Sequence, residues 1–66
     1  MNILVNKLKT EVDPGINLYQ LLEQMNISTQ YIAIEVNEEI VPKSEYEKFN
    51  LNDGDKIEIV TAIGGG

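Results

Sequence analysis

Hydrophobic and polar residues alternate from the first position. Met1, Ile3 and Val5 fall on one side of a period-two pattern, with Asn2, Leu4 and Asn6 on the other, as in a strand with one buried face. Past Asn6-Lys7 the alternation resumes, with Leu8, Thr10 and Val12 against Lys7, Lys9 and Glu11. Two adjacent alternating runs predict a β-hairpin. Asn6 tolerates the left-handed conformation that the turn requires, whereas Lys7 is a poorer choice than glycine there. Asp13-Pro14-Gly15 ends the second strand. Asn17, with Gln20 three positions on, then predicts a capping box. Leu18, Leu21, Leu22 and Met25 form one apolar stripe of a helix of about ten residues, with Asn26 as its stop. So short a helix is marginal alone, and its stripe must cover a sheet.

The second half repeats the theme. Tyr31 to Asn37 alternates, with Ile32, Ile34 and Val36 on one face. Glu38-Glu39 reads as a turn, and Ile40-Val41 as a short strand stopped by Pro42. Ser44 with Glu47 predicts a second capping box, over a short helical turn that contains Tyr46 and Phe49. Asn52-Asp53-Gly54-Asp55 is a tight turn with Gly54 at positive φ. Lys56 to Thr61 forms the last strand, with Ile57 and Ile59 inward. Strand and helix are not joined by a glycine fingerprint, so a Rossmann unit is excluded. The order fits an α+β fold of β-grasp type: a mixed sheet of four to five strands with one main helix packed on one face. First and last strands then lie side by side in the middle, and the opposite sheet face is partly open to solvent. The chain divides into one domain, residues 1–61, and a flexible glycine tail, residues 62–66.

Composition narrows the chemistry. At 66 residues the chain forms one small domain, which buries only about 60% of its unfolded surface. It contains neither cysteine nor histidine, which removes thiolate and imidazole ligands and both kinds of nucleophilic catalysis that depend on them. The apolar share of 42% suits a folded domain. Eleven acidic residues stand against five lysines, with no arginine, for a net charge of −6. Such a surface repels nucleic-acid phosphates. It suits either simple solubility or a partner that is locally basic or mainly apolar at the contact. The N-terminus, MNILVNKLK, resembles neither a signal peptide nor a membrane span, so the expected location is the cytoplasm.

The acids are placed as turn formers. Glu38-Glu39 and Asp53/Asp55 lie at turns, and a calcium loop would need spaced oxygens and a distal glutamate that are missing. Lys7 and Lys9 do not make a phosphate site, and Ser28, Thr29 and Ser44 have no histidine to activate them. The end of the chain is different. Gly64-Gly65-Gly66 follows a strand that should be central and rigid. Glycine lacks Cβ, so such a tail can thread a narrow channel and leaves its carboxylate open to attack. A carboxylate is a poor electrophile until it is converted to a mixed anhydride, and adenylation by an ATP-using partner would do this. That partner must supply ATP, magnesium and electrophilic stabilisation. Ordering a tail costs about 1–2 kcal/mol per residue, so the folded body must dock as well. Leu4 and Val60 lie on the outward face of neighbouring strands, and with Ile63 they are the candidate partner-binding residues near the tail's root. The plain alternative is a frayed, idle end.

Taken together, Val36-Asn37-Glu38-Glu39-Ile40-Val41-Pro42, Asp53-Gly54-Asp55-Lys56-Ile57-Glu58-Ile59-Val60 and the closing Gly64-Gly65-Gly66 resemble the ThiS family of sulfur carrier proteins of thiamine biosynthesis. These are small ubiquitin-like proteins, and the resemblance covers essentially the whole chain. Lys7 departs from it, because relatives often have glycine in the first turn. The resemblance implies that Gly66 is adenylated by an E1-like enzyme of ThiF type and converted to a thiocarboxylate. Gly64 and Gly65 would enter the partner's active site. A desulfurase or persulfide protein would supply sulfur, which passes to a thiazole synthase of ThiG type. On that reading the chain is a co-substrate rather than an enzyme, and it binds no cofactor itself. Three alternatives stand beside it: the small subunit of molybdopterin synthase, a ubiquitin-like modifier, and a plain β-grasp binding module. Thr61-Ala62-Ile63 lacks the prolines that tend to precede the double glycine in the first of these.

Overall fold

The alternating N-terminal run folds back on itself as strands β1 (Asn2–Val5) and β2 (Leu8–Glu11), paired antiparallel from Asn2↔Glu11 to Val5↔Leu8 in the computed structural model, which describes residues 1–61. Residues 62–66, read from the sequence as the tail, lie outside the described residues. Both turn residues are left-handed, Asn6 at φ 49° and Lys7 at φ 71°, as a two-residue type I′ turn requires. Lys7 therefore holds a conformation that disfavours any side chain with a Cβ by about 1–2 kcal/mol. Lys7→Gly relieves this but adds chain entropy to the unfolded state. The expected net result is a gain of about 0.5–1 kcal/mol, read as a higher urea midpoint. A lower midpoint would mean that the Lys7 side chain contributes more than its strain removes.

Helix α1 (Leu18–Gln24) starts at the expected capping box. The Asn17 side chain accepts from the Gln20 amide at 2.8 Å, and the Gln20 side chain accepts from the Asn17 amide at 3.0 Å. The helix ends in a Schellman motif: Asn26, at φ 57°, donates to the Glu23 carbonyl and Ile27 donates to the Leu22 carbonyl. It has seven residues, not ten. Met25 is therefore not part of the buried stripe. It is the C-cap and is 39% exposed, because Asn26 turns the chain away before another turn can form. Ile27, the last residue of the motif, packs against the core.

Strands β3 (Ile32–Val36) and β4 (Glu39–Val41) form a second hairpin. Its turn is Asn37-Glu38, at φ 52° and 71°, one residue earlier than the expected Glu38-Glu39. Asparagine accepts the left-handed position more readily than glutamate, so Asn37 takes it and Glu39 joins the strand. The Ser44–Glu47 capping box does not form. The helical turn there is a single 3₁₀ turn, Lys43–Glu45, entered from Pro42 without a side-chain cap. Ser44 thus sits inside the turn rather than before it. Tyr46 is buried and Phe49 packs against the core. The segment around them is tied to the start of α1, with Leu18 donating to the Phe49 carbonyl at 3.0 Å and Leu51 to the Ile16 carbonyl at 2.9 Å.

The last strand, β5 (Lys56–Thr61), lies parallel to β1 and antiparallel to β3. The sheet order is β2-β1-β5-β3-β4, the β-grasp arrangement. Ile3, Val5, Ile34, Val36 and Ile57 meet Leu18, Leu21 and Leu22 of the helix in one buried cluster. Met1 and Ile59 pack at its margin.

Candidate functional site

The strand that leads to the glycines is held at its start by acids acting as turn formers. Gly54 has φ 87°, where a side chain would be strained. Asp55 is nearly buried, with Oδ1 accepting from Asn37 Nδ2 at 3.0 Å and Oδ2 accepting from the Asn52 amide at 2.7 Å. Asp53 Oδ1 accepts from the Asn2 amide at 2.8 Å. These carboxylates are engaged in fixing the Asn52–Asp55 turn against β1 and the second hairpin. They do not face one another across a cleft. Among the described residues no group of three or more His, Cys, Asp or Glu could hold a metal ion. One phenol is perturbed: burial pushes Tyr46 above its ordinary pKa, on the side of the fold that closes over the helix start.

From this turn β5 runs through the middle of the sheet. On the β1 side the pairing is Leu4↔Lys56 and Val5↔Ile57, and Asn6 then takes over from the strand. Its amide donates to the Ile57 carbonyl at 2.8 Å. Its side-chain Oδ1 accepts from the Ile59 amide at 2.7 Å, while Nδ2 donates to the Ile59 carbonyl at 3.2 Å. On the other side Asn37 does similar work at the strand's start, donating its amide to the Lys56 carbonyl and accepting from the Lys56 amide on Oδ1. Two turn asparagines thus grip β5 from opposite edges. The sequence reading credited Asn6 only with tolerance of the turn conformation. The signal available was an asparagine at the first position of each hairpin turn.

Leu4 and Val60 lie on the outward face, as expected from their parity in β1 and β5. They do not form one apolar spot. The register places Lys56, not Val60, beside Leu4, and Val60 is four residues further along, roughly 13 Å at strand rise. Leu4 is half-buried next to lysines, opposite Lys9 on one side and Lys56 on the other. Val60 is 62% exposed and stands beside Ala33 of β3. Between the two levels lies Glu58, directly opposite Glu35. A shallow depression of about 560 Å³ crosses this face beside Leu4, Glu35, Lys56 and Glu58, mixed in charge and open. The other candidate residues, Ile63, Gly64, Gly65 and Gly66, lie outside the described residues. Val60 and Thr61 are therefore the described residues nearest the proposed reactive end.

No helix among the described residues is long and apolar enough to cross a membrane. The ThiS family model matches residues 2–66. A thiazole synthase of Paramagnetospirillum magneticum is 39% identical over 66 residues, all of this chain but 20% of that protein. The chain thus spans about a fifth of that relative's length. The sulfur carrier protein ThiS of Escherichia coli is 32% identical over 66 residues, covering the whole of both chains. The crystal structure of the thiamine biosynthesis protein ThiS from Geobacter metallireducens superposes with a TM-score of 0.86 at 29% identity, again over the whole of both chains.

Proposed function

The chain belongs to the ThiS family, the sulfur carriers of thiamine biosynthesis, and we propose from that premise that Gly66 carries the sulfur as a C-terminal thiocarboxylate. The observation that supports this most is the extent of the likeness: the match with the Escherichia coli sulfur carrier runs the full length of both chains, so the closing glycines fall within it.

The steps follow from the electrophilicity of a carboxyl group. A Gly66 carboxylate oxygen attacks the α-phosphorus of ATP on an E1-like partner of ThiF type, and pyrophosphate leaves. The resulting acyl-adenylate has AMP as its leaving group. The terminal sulfur of a persulfide on the sulfur-donating protein attacks the acyl carbon and AMP departs. A thiol then cleaves the S–S bond, being oxidised to a disulfide, and leaves the thiocarboxylate on Gly66. The partner supplies ATP and magnesium; this chain binds neither and acts as a co-substrate. Gly64 and Gly65 lack Cβ atoms and can follow a channel too narrow for other residues. Leu4, Val60 and Ile63 are part of the docking surface that holds the body while the tail reacts. A thiazole synthase of ThiG type receives the sulfur, a role that the thiazole synthase relative containing a segment like this chain supports.

The test is intact mass after incubation with the adenylating enzyme, ATP, magnesium, a persulfide donor and a thiol to release the acyl-bound sulfur. The expected result is replacement of one oxygen by one sulfur. An unchanged mass, with the enzyme shown to be active on another carrier, overturns the proposal. Appearance of the chain in covalent ladders with other proteins would favour the modifier reading.

A further inference from the structure

The grip of Asn6 on β5 has a direct bearing on where the reactive end leaves the fold. The ladder between β1 and β5 ends at Val5↔Ile57, and the Asn6 amide adds one bond to the Ile57 carbonyl. Beyond that point β5 has no backbone partner on the β1 side among the described residues. The Asn6 side-chain amide fills the next place in the ladder, with its oxygen on the Ile59 N–H at 2.7 Å and its nitrogen on the Ile59 carbonyl at 3.2 Å. Val60 and Thr61 then pair with β3 alone, through Ala33 and Ile32. Among the described residues the last point at which β5 is held from both edges is therefore Ile59. Without the side chain it would retreat to Ile57, two residues or roughly 7 Å back along the strand.

We propose that Asn6 is a positioning residue for the C-terminal carboxylate, its side-chain amide clamping the Ile59 peptide so that β5 is held from both edges as far as Ile59. The inference rests on the carrier reading for its consequence, but the clamp itself can be measured in the free protein. Its role is separate from docking. Asn6 is an exposed turn residue, but its side-chain amide is spent on the Ile59 peptide, whereas Leu4 and Val60 leave their side chains open to a partner. Adenylation needs the carboxylate oxygen aligned with the α-phosphorus, and small displacements of a reacting group reduce turnover more than binding.

Asn6→Gly separates the clamp from the turn. Glycine accepts φ 49° without strain, so the type I′ turn is kept and only the side-chain bonds are lost. Asn37→Gly is the control, because it removes a comparable asparagine grip at the far end of the same strand. Two readouts decide the matter. In the free protein, hydrogen exchange at the Ile59 amide is expected to accelerate about tenfold or more in Asn6→Gly beyond any change at the Leu21 amide, which reports global opening. In the adenylation assay, Asn6→Gly is expected to lower kcat about fivefold with KM changed less than twofold, and Asn37→Gly to leave kcat near that of the unsubstituted protein. Asn6→Asp keeps the acceptor for the Ile59 N–H and is expected to recover part of the rate. Equal kcat values for Asn6→Gly and Asn37→Gly, or a change confined to KM, would overturn the proposal. If the unsubstituted protein is not adenylated at all, the carrier reading fails, and the exchange data still report whether the clamp exists. Should Asn6→Gly prove unfolded, the same comparison is made with Asn6→Asp, whose failure to slow adenylation relative to Asn37→Asp counts equally against the proposal.

Discussion

Removing Gly65 and Gly66 is expected to abolish thiocarboxylate formation completely while leaving the fold of residues 1–61 unchanged. The reasoning is chemical. On the proposed mechanism the reacting carbon belongs to Gly66, and shortening the chain moves the carboxylate back by two residues, roughly 7 Å at extended rise. Alignment with the α-phosphorus cannot survive a displacement on that scale, when even about 1 Å can reduce rate about a hundredfold. The described elements end at Thr61, and among the described residues the buried cluster runs from Ile3 to Ile57, with Met1 and Ile59 among those at its margin. Thermal unfolding of the shortened chain should therefore match that of the full one. In a bacterium that depends on this protein, the deletion should prevent growth without thiamine, and added thiamine should restore it. If growth fails only where a molybdoenzyme is needed, the molybdopterin synthase reading replaces this one.

The second large effect concerns the body that carries the tail. Leu21 is fully buried at the centre of the helix stripe, against β1, β3 and β5. Leu21→Ala removes buried methylene groups and leaves a cavity, a change that lowers stability by about 2–5 kcal/mol. A domain of this size has about 3–10 kcal/mol in total. The substitution is thus expected to remove about half of the stability, which raises the unfolded-to-folded ratio by a factor of about thirty or more. Leu8→Ala is the comparison. Leu8 is 71% exposed at the outer strand, and its truncation should change the unfolding free energy by less than about 0.5 kcal/mol. Urea titration of the two variants separates the outcomes, and equal losses would mean that the helix stripe does not carry the core.

The contrast between Leu21 and Leu8 also shows which parts of the fold were legible. Leu8 and Leu21 are the same residue type, and only the period distinguishes them. The leucines at helical spacing are buried because α1 lies across the sheet, whereas Leu8 belongs to a strand pattern on β2 and overhangs the edge. The strands, the helix cap at Asn17–Gln20, the stop at Asn26 and the positive φ of Gly54 were all readable, because each depends on local chemistry. What failed were the places where one local signal overrides another, or where neighbours in space decide. Met25 fits the stripe but falls past a helix end fixed by Asn26. Ser44 and Glu47 have capping spacing, yet Pro42 sets where the turn begins. Ile16 and Leu51 are buried with no periodic signal, since their positions come from backbone bonds between distant loops.

The site was legible in a similar way. Parity put Leu4 and Val60 on one face, but register is a property of pairing, and Leu4↔Lys56 keeps the two apart. Lys7 was flagged as a departure, and the hairpin accommodates it at φ 71°. What the sequence could not announce was the second use of the turn asparagines. Asn6 reads as a residue tolerant of the turn and Asn37 as the end of an alternating run, while their side chains reach β5 across the sheet.

The central claim is that sulfur resides on Gly66. It is tested most directly by fragmenting the chain after reaction with adenylating enzyme, ATP, magnesium, a thiol and a persulfide donor whose terminal sulfur is a heavy isotope. The account predicts one heavy sulfur in place of one oxygen, located in the fragment that ends at Gly66 and in no other. Heavy sulfur on a lysine or at the N-terminus, or none anywhere with an active enzyme, would contradict it.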